Sequence, residues 1–490
     1  MTTERSERLS TGVSGLDEVL AGGLIPRRTY MIRGPPGAGK TLLGLQFLVA
    51  GTSAGEDALF VALEEAEDDI RENAASVGLD ASGVDFLDLS PGSEFFREDQ
   101  SYDIFSPSEV EGESLASSIA ERIERADPDR VVFDPATRFR YLAPDEYQFR
   151  KQILSFVRFL REQDATVVFT TQAAESNPDD DLQFLSDGVI DVAASAAGRS
   201  VSVPKFRGSD SQRGDHAFRI SDDGLAVYPE LVPERHTRSF AAEAVPSGVP
   251  GIDSLLGGGI ERGTVTIVSG PTGVGKTTLG AQFMKESAGR GERSVMYLFE
   301  ENRETFLERS TSINLPVRAM IERGTLAVEV VEALQRSPAE FAHDVRAQVE
   351  REDSEIVMID GVDGYRMSLQ GQATNLTREL HSLCRYLKNM GVTVILVDEA
   401  GSVTGEFVAT SENISYLADN IVFLRYLELD GELRKAIGVL KKRTSTFERT
   451  LREFEITEHG LTVGEPLSEL RGILRGTPER ASSRHHTDDR

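Results

Sequence analysis

Hydrophobic residues in the first half of the chain fall into short runs separated by polar or amphipathic segments. Five runs predict strands: 29–33, 58–63, 85–89, 130–134 and 166–172. The run 58–63 is apolar along its whole length, which is typical of a strand buried on both faces of a parallel sheet. Helical spacing lies between them, near 41–50, 66–77 and 114–126, and Ile153, Val157 and Leu160 mark one face of a longer helix. The last runs are joined by short turns and predict an antiparallel sheet edge: 188–195, 200–207 and 217–228, the last one turning at 222–224.

The second half repeats this pattern. Its predicted strands are 265–269, 294–299, 355–360, 393–397, 421–429 and 436–443. Strands that alternate with helices and end in an antiparallel C-terminal edge predict an α/β fold with mostly parallel sheets in two tandem domains. We expect the first domain over 1–233, a polar linker over 234–246, the second domain over 247–475 and a disordered tail over 476–490.

A phosphate-binding loop of the form G-x-x-x-x-G-K-[ST] occurs in each half, at 34–41 and 270–277. The offset between Lys40 and Lys276 is 276 − 40 = 236, and the same offset aligns the flanking residues without a gap, so a whole domain is duplicated. The loops and the strand pattern together predict two tandem RecA-like P-loop NTPase domains. Glycines let the backbone N–H groups of such a loop point at phosphate, and the lysine reaches the terminal phosphates. The residues predicted to bind nucleotide are Gly34, Gly37, Ala38, Gly39, Lys40, Thr41, Leu42, Gly270, Gly273, Val274, Gly275, Lys276, Thr277 and Thr278.

One aspartate ends an apolar strand downstream of each loop. Asp134 and Asp360 occupy these positions. An acid at the carboxyl end of a parallel strand can hold Mg²⁺ together with the loop hydroxyl, here Thr41 or Thr277. These four residues therefore predict two sites for Mg²⁺ bound with ATP.

In each half, a pair of glutamates follows the strand that comes directly after the phosphate-loop helix. Glu64-Glu65 and Glu300-Glu301 are related by the same offset as the two loop lysines. A carboxylate at this strand end can accept the proton of a water or hydroxyl that attacks the γ-phosphate. The pairs are therefore candidates for catalysis, and a solvated acidic loop is the alternative.

A basic doublet ends a late strand in each half. Lys205 and Arg207 in the first half correspond, again by the duplication offset, to Lys441 and Arg443 in the second. Because side chains alternate along a strand, the two cations of each doublet lie on one side of it. They could stabilise phosphoryl transfer in the same chain or across a subunit interface, and cations that merely protect an edge strand are the alternative.

Charge and composition narrow the class of protein. The net charge is −28, and only 9 of the 53 basic residues are lysine. This bias is typical of proteins from salt-in halophilic archaea, and an acidic protein at ordinary salt is the alternative. Without a leader segment or an apolar run long enough to cross a bilayer, we expect a soluble cytoplasmic protein with no membrane contact. The single Cys384 excludes an internal disulfide.

Together these motifs resemble the KaiC family, the two-domain branch of the RecA/RadA ATPases, over nearly the whole chain. The most specific segments are the glycine-rich stretches 15–23 and 251–259, both phosphate loops, both glutamate pairs and the run 418–437. The resemblance implies ATP and Mg²⁺ as ligands and a homohexamer of two stacked rings with ATP between neighbouring subunits. It implies that the first ring hydrolyses ATP slowly and the second phosphorylates itself. It also implies that the basic doublets reach the neighbour's nucleotide.

The chain departs from the family pattern at several positions. The autophosphorylated Ser/Thr pair aligns with Ser415 and Tyr416, so a tyrosine replaces the threonine. Pro135 and Gly361 follow the strand-end aspartates where the family usually has serine, and Thr444 replaces a glycine after the second doublet. Ser415 is therefore the phosphorylation site that the resemblance implies, and a serine that caps a turn is the alternative.

Two other function classes fit a duplicated ATPase. One is a DNA recombinase or hexameric helicase of RadA type, but the chain has no helix-hairpin-helix segment and no clustered basic loop, so nucleic acid is not the expected partner. The other is a nucleotide-gated scaffold that binds ATP and releases a regulatory protein with little turnover. A regulatory protein of unknown identity is the expected partner beside the chain itself.

Overall fold

The chain folds into two compact units, Met1–Glu230 and Leu231–Arg490. The computed structural model describes residues 8–91, 93, 119–138, 140, 146–172, 179–195, 198–222, 224–332, 334–369, 373–399, 414–429, 431–471, 473 and 479–480. No helix within these ranges combines the length and the apolar character needed to span a bilayer.

Helices and strands alternate through the first unit as the hydrophobic pattern predicts. Its helices are α1 Ser14–Val19, α2 Lys40–Ser53, α3 Glu67–Ser76, α4 Glu146–Glu162 and α5 Asp180–Leu185, and residues 119–126 are also helical. Its strands are β1 Thr29–Gly34, β2 Ala58–Ala62, β3 Asp85–Asp88, β4 Arg130–Asp134, β5 Thr166–Gln172, β6 Gly188–Ser195, β7 Gly198–Phe206, β8 His216–Ser221 and β9 Gly224–Tyr228.

The nine strands form one sheet in the order β3-β2-β4-β5-β1-β6-β7-β8-β9. The six strands from β3 to β6 are parallel to their neighbours, and β7, β8 and β9 continue the sheet antiparallel. The phosphate-loop strand β1 lies between β5 and β6, so the loop emerges near the middle of the sheet at its carboxyl edge.

The second unit repeats the same elements. Its helices are α6 Pro250–Leu255, α7 Lys276–Gly289, α8 Arg303–Ser312, α9 Val317–Glu322, α10 Pro338–Glu350, α11 Val362–Ser368 and α12 Ala373–Asn389, preceded by a 3₁₀ turn at Pro233–Arg235. Its strands are β10 Ala244–Val245, β11 Ile260–Glu261, β12 Val265–Gly270, β13 Arg293–Leu298, β14 Leu326–Val330, β15 Ser354–Asp360, β16 Thr393–Glu399, β17 Asn420–Leu429, β18 Glu432–Lys442, β19 Arg452–Thr457, β20 Gly460–Pro466, β21 Leu470–Arg471 and β22 Glu479–Arg480.

Its main sheet has the order β14-β13-β15-β16-β12-β17-β18-β19-β20, which matches the first sheet strand for strand. The six strands from β14 to β17 are again parallel, and the last three are antiparallel. The predicted α/β fold of two RecA-like domains with an antiparallel C-terminal edge is therefore confirmed.

Each sheet is covered by apolar side chains on both faces, which explains why its strands are apolar along their whole length. In the first unit, one face packs against α2 through residues such as Leu43 and Leu48, and the other against α4 through Ile153 and Leu160. The side chain of Val157, predicted on the same helix face, lies outside those described. Cys384 is buried in the second unit as a free thiol.

The segment 234–246, predicted as a linker, makes contacts within the second unit. The Arg238 N–H donates to the Asn389 carbonyl at 3.0 Å, and Val245 pairs with Ile260. In the segment predicted as a disordered tail, Glu479–Arg480 pairs antiparallel with Leu470–Arg471, and the rest of 476–490 lies outside the described residues.

Candidate functional site

Each phosphate loop joins the central strand of its sheet to the helix behind it, from β1 to α2 and from β12 to α7. The residue before each helix is a glycine in the left-handed region, Gly39 at φ 101° and Gly275 at φ 116°. A Cβ at either position would collide with the side chain of Ile220 or Ile456. The backbone angle therefore requires glycine and the close isoleucine adds to this preference, and the loop N–H groups can face an anion.

The loop lysines are the first residues of their helices and are buried. Lys40 Nζ donates to the Pro35 carbonyl and Lys276 Nζ to the Pro271 carbonyl, both at 2.9 Å. Burial lowers the pKa of each lysine, and nearby carboxylates oppose this change. A cation held in a partly dehydrated loop is ready to bind phosphate oxygens.

The strand-end aspartates make hydrogen bonds with the loop hydroxyls. Burial raises the pKa of Asp134, and hydrogen bonds with Thr170 and Thr41 oppose the change. Burial raises the pKa of Asp360 to about 6, and a hydrogen bond with Thr277 opposes it. A buried carboxylate beside a hydroxyl suits Mg²⁺, which takes few protein ligands and fills its remaining positions with water and phosphate oxygens.

The glutamate pair of the first unit lies beside the same loop. Glu64 accepts a long hydrogen bond of 3.5 Å from Gln172, at the end of β5. Burial raises the pKa of Glu65, and the negative charges of Asp134, Glu64 and Asp69 raise it further. The first unit thus holds two adjacent carboxylates surrounded by other acids.

The glutamate pair of the second unit has different partners. Glu300 accepts a hydrogen bond of 3.2 Å from the Gly364 backbone N–H. Glu301 forms an ion pair of 2.8 Å with Arg309 on α8. Each site therefore has its own pair of glutamates at the same position, and the two pairs differ in the groups that contact them.

The loop, both glutamates and the aspartate of the second unit line one cavity of about 580 Å³. Its lining also includes Arg309, Ile313, Glu399, Lys435 and Ile456, which sequence reasoning did not identify. Glu399 ends β16 level with Gly270, as Gln172 ends β5 level with Gly34. The position of these two residues at the carboxyl end of a strand is a signal that could have found them.

The first basic doublet lies at the opposite edge of its sheet from the phosphate loop. The Arg207 N–H donates to the Asp187 carbonyl at 2.8 Å, and the Asp187 N–H donates to the Thr29 carbonyl at 2.7 Å. Arg207 is therefore level with the first residue of β1, whereas the phosphate loop begins at Gly34, its last. At ~3.3 Å per residue the two ends of this strand are about 16 Å apart.

The second doublet repeats this geometry. The Arg443 N–H donates to the Asp419 carbonyl at 3.1 Å, and the Asp419 N–H donates to the Val265 carbonyl at 2.8 Å. The structure thus brings the loops, aspartates and glutamates together in each unit, and it separates the basic doublets from them.

The two cations of each doublet have different surroundings. Lys205 Nζ donates to the carbonyls of Gln183 and Phe184, and Lys441 Nζ donates to the carbonyls of Ser415 and Ala418. The lysines therefore bind backbone carbonyls of their own unit.

The arginines are half-exposed. Arg207 lies 4.0 Å from Asp187, with 49% of its side chain accessible, and Arg443 lies 3.7 Å from Asp419, with 51% accessible. Each guanidinium has room to turn toward another molecule.

Ser415 lies in a turn just before β17 and is exposed, as is Tyr416, which contacts the ring of His381. Because Lys441 binds the Ser415 carbonyl, Ser415 lies at the sheet edge that carries the basic doublet.

Comparison with known proteins fits this pair of sites. The family model described as the KaiC ATPase matches residues 9–232 and again residues 245–468. The chain belongs to the KaiC family. It is similar to the circadian clock oscillator protein KaiC of Acaryochloris marina, with 28% identity over 97% of this chain and 92% of that protein. It is equally similar to the circadian clock protein KaiC3 of Synechocystis sp., with 28% identity over 97% of this chain and 95% of that protein. The resemblance expected from the motifs is confirmed, and membership of this ATPase family supports nucleotide binding and ATP hydrolysis by the chain.

Proposed function

We propose that this protein is a Mg²⁺-dependent ATPase whose first domain hydrolyses ATP and whose second domain phosphorylates Ser415 in a ring of identical chains. The observation that carries the proposal is the duplication of one complete arrangement. Each unit has a phosphate loop, a strand-end aspartate and a glutamate pair on one sheet edge, and a basic doublet on the other.

In the first domain the γ-phosphate of ATP would bind to Lys40 and to the N–H groups of the loop. Thr41 and Asp134 would hold Mg²⁺, which supplies positive charge to the phosphate oxygens. Glu64 or Glu65 accepts one proton from a water whose oxygen attacks the γ-phosphorus. The bond between that phosphorus and the β,γ-bridging oxygen breaks, and ADP and phosphate leave.

The basic doublets act on a neighbouring chain. Arg207 is about 16 Å along the strand from its own phosphate loop, too far for direct contact, and it is half-exposed. One edge of each domain would then serve the opposite edge of the next, and such a head-to-tail contact closes into a ring. A homohexamer is the assembly that we propose.

The second domain transfers phosphate to a side chain. Lys276 would bind the γ-phosphate while Thr277 and Asp360 hold Mg²⁺. Because Ser415 lies on the doublet edge of its sheet, it meets the phosphate loop of the next chain in the same ring. There Glu300 or Glu301 accepts the Ser415 hydroxyl proton, the Ser415 oxygen bonds to the γ-phosphorus, and ADP leaves.

The added phosphate would carry a charge of about −1.5 to −2 and would lie near Asp419, so it should loosen the second ring. This charge gives the ring two states that a regulatory protein partner can distinguish. The strongly acidic composition supports a cytoplasm of high salt as the setting and gives no support for binding to nucleic acid.

Mass spectrometry of the protein after incubation with Mg·ATP, read beside the release of ADP, tests this function. We expect ADP release and a phosphopeptide that carries phosphate on Ser415. Phosphate on Ser411 or Tyr416 with none on Ser415 would reject the assigned acceptor. ADP release without any phosphopeptide would leave a two-ring ATPase, and ATP binding without ADP release would favour a nucleotide-gated scaffold.

A further inference from the structure

Arg309 introduces a charge into the second nucleotide site that the first site lacks. The duplication offset pairs Arg309 with 309 − 236 = 73, which is an asparagine. It likewise pairs Glu301 with 301 − 236 = 65, which is Glu65. The glutamate is thus the same in both domains, and the residue two turns along the following helix differs by one unit of positive charge.

The contacts of Arg309 direct this charge into the cavity. Arg309 lines the same cavity as Lys276, Thr277 and Asp360, and its guanidinium forms an ion pair of 2.8 Å with Glu301. Because 43% of the Arg309 side chain and 22% of the Glu301 side chain are accessible, the pair is open to a ligand that enters the cavity. The positive charge of Arg309 also acts on Asp360, across the cavity.

In the corresponding helix of the first unit, α3, the single arginine is Arg71, which binds Glu67 and the carbonyls of Ala81 and Val84 and does not occupy the position of Arg309. Asn73 is exposed, and the residue at 305 − 236 = 69 is Asp69 where the second unit has Thr305. The groups that raise the pKa of Glu65 besides burial are all carboxylates, Asp69 among them. The helix after the glutamate pair is therefore negative toward the first site and positive toward the second.

We propose that Arg309 is a specificity-determining residue that strengthens binding of the nucleoside triphosphate over the diphosphate at the second site. This rests on the proposed function, since it takes the cavity as the site of ATP. The positive charge compensates Glu301 and attracts the additional negative charge that ATP carries beyond ADP. The first domain, with Asn73, discriminates less between the two nucleotides.

The test measures nucleotide affinity at one site at a time. The parent protein is the full chain with Lys40→Ala, which disables the first phosphate loop. We would titrate a non-hydrolysable ATP analogue and ADP, each with Mg²⁺, into this parent and into its variants at Arg309. Arg309→Asn copies the first domain, and Arg309→Lys keeps the charge. Arg303→Asn removes an arginine from the same helix, but from outside the cavity lining.

We expect Arg309→Asn to weaken binding of the ATP analogue by about fivefold, which is about 1 kcal/mol, and binding of ADP by clearly less. Arg309→Lys should keep the affinity and the selectivity of the parent, and Arg303→Asn should change neither. The reciprocal change, Asn73→Arg in a Lys276→Ala chain, should raise the preference of the first site for the ATP analogue over ADP.

An equal loss for the two nucleotides would overturn the proposal, because a purely structural role of Arg309 weakens both alike. Tighter binding of the ATP analogue by Arg309→Asn would also overturn it. If the Lys40→Ala parent binds neither nucleotide, the proposed function of the second site fails, and that outcome is distinct from a parent that binds both without selectivity.

Discussion

A mixture of two inactive variants should recover ATP hydrolysis if the basic doublet serves a neighbouring chain. The first variant carries Lys40→Ala and lacks a working phosphate loop. The second carries Arg207→Ala and lacks the half-exposed guanidinium on the opposite edge of the same sheet. Both are made with Lys276→Ala, so that only the first domain can turn over ATP.

The size of the recovery follows from the geometry. Arg207 lies about 16 Å along β1 from its own loop, so in the proposed ring each complete site would take its loop from one chain and its guanidinium from the next. In a ring assembled at random from equal amounts of the two variants, about a quarter of the neighbouring pairs combine an intact Lys40 with an intact Arg207. Loss of such a guanidinium costs roughly 10³–10⁵ in rate, so each variant alone should be nearly silent.

The assay mixes the two chains before nucleotide is added, starts assembly with Mg·ATP and measures ADP release per chain. We expect about a quarter of the rate of the Lys276→Ala parent if each site needs only one intact Lys40 and one intact Arg207 from the neighbouring chain. A matched control mixes Lys40→Ala with a chain that carries both Lys40→Ala and Arg207→Ala, a mixture in which no site is complete. Activity no higher than this control, or full activity of Arg207→Ala alone, would refute action on the neighbour.

Three further outcomes are expected. Lys40→Ala should remove most ADP release whereas Lys276→Ala should chiefly remove phosphorylation of Ser415; equal loss of ADP release from both would contradict this division. With a net charge of −28, the melting temperature should rise with KCl up to about 1 M, where the Debye length is about 3 Å; a constant value would contradict a halophilic protein. Asp360→Asn should stabilise the nucleotide-free, Mg²⁺-free second domain at pH 8 by up to about 3 kcal/mol. The pKa of Asp360 in the folded protein, about 6, exceeds the ordinary value of 3.8, so the folded state loses stability as the pH rises between these values. The stabilisation by Asp360→Asn, measured by urea unfolding, should therefore be smaller at pH 5 than at pH 8, and equal values would contradict the prediction.

The succession of strands and helices along the chain and the positions of the phosphate loops could be predicted because they depend on local pattern. Apolar runs identified the buried parallel strands, and the aspartates at their carboxyl ends, Asp134 and Asp360, do face the loop hydroxyls. Because parallel strands end at the same edge of the sheet, the residues at their carboxyl ends lie close together once the strands are identified.

The groups that distinguish the two sites could not be predicted in this way. Arg309 lines the cavity because α8 packs with this residue toward Glu301. Lys435 lines it from β18, which runs antiparallel to β17. Nor does the sequence alone reveal that Lys205 and Lys441 bind carbonyls of their own unit. A comparison of the two halves position by position would have found the difference between Asn73 and Arg309, but it would not have found the ion pair between Arg309 and Glu301.

The placement of loop and doublet on opposite edges of one sheet has a genetic consequence. Where a site takes one part from each of two chains, a single altered chain in a ring spoils its own loop or its neighbour's site, and a chain altered in both spoils two. When half of the chains in a random ring are altered, a change in one part should leave about half of the sites complete, whereas a change in both parts should leave about a quarter. An allele altered in both parts should therefore be more harmful beside a normal allele than one whose chain does not fold, because an unfolded chain stays out of the ring and spoils no neighbour's site.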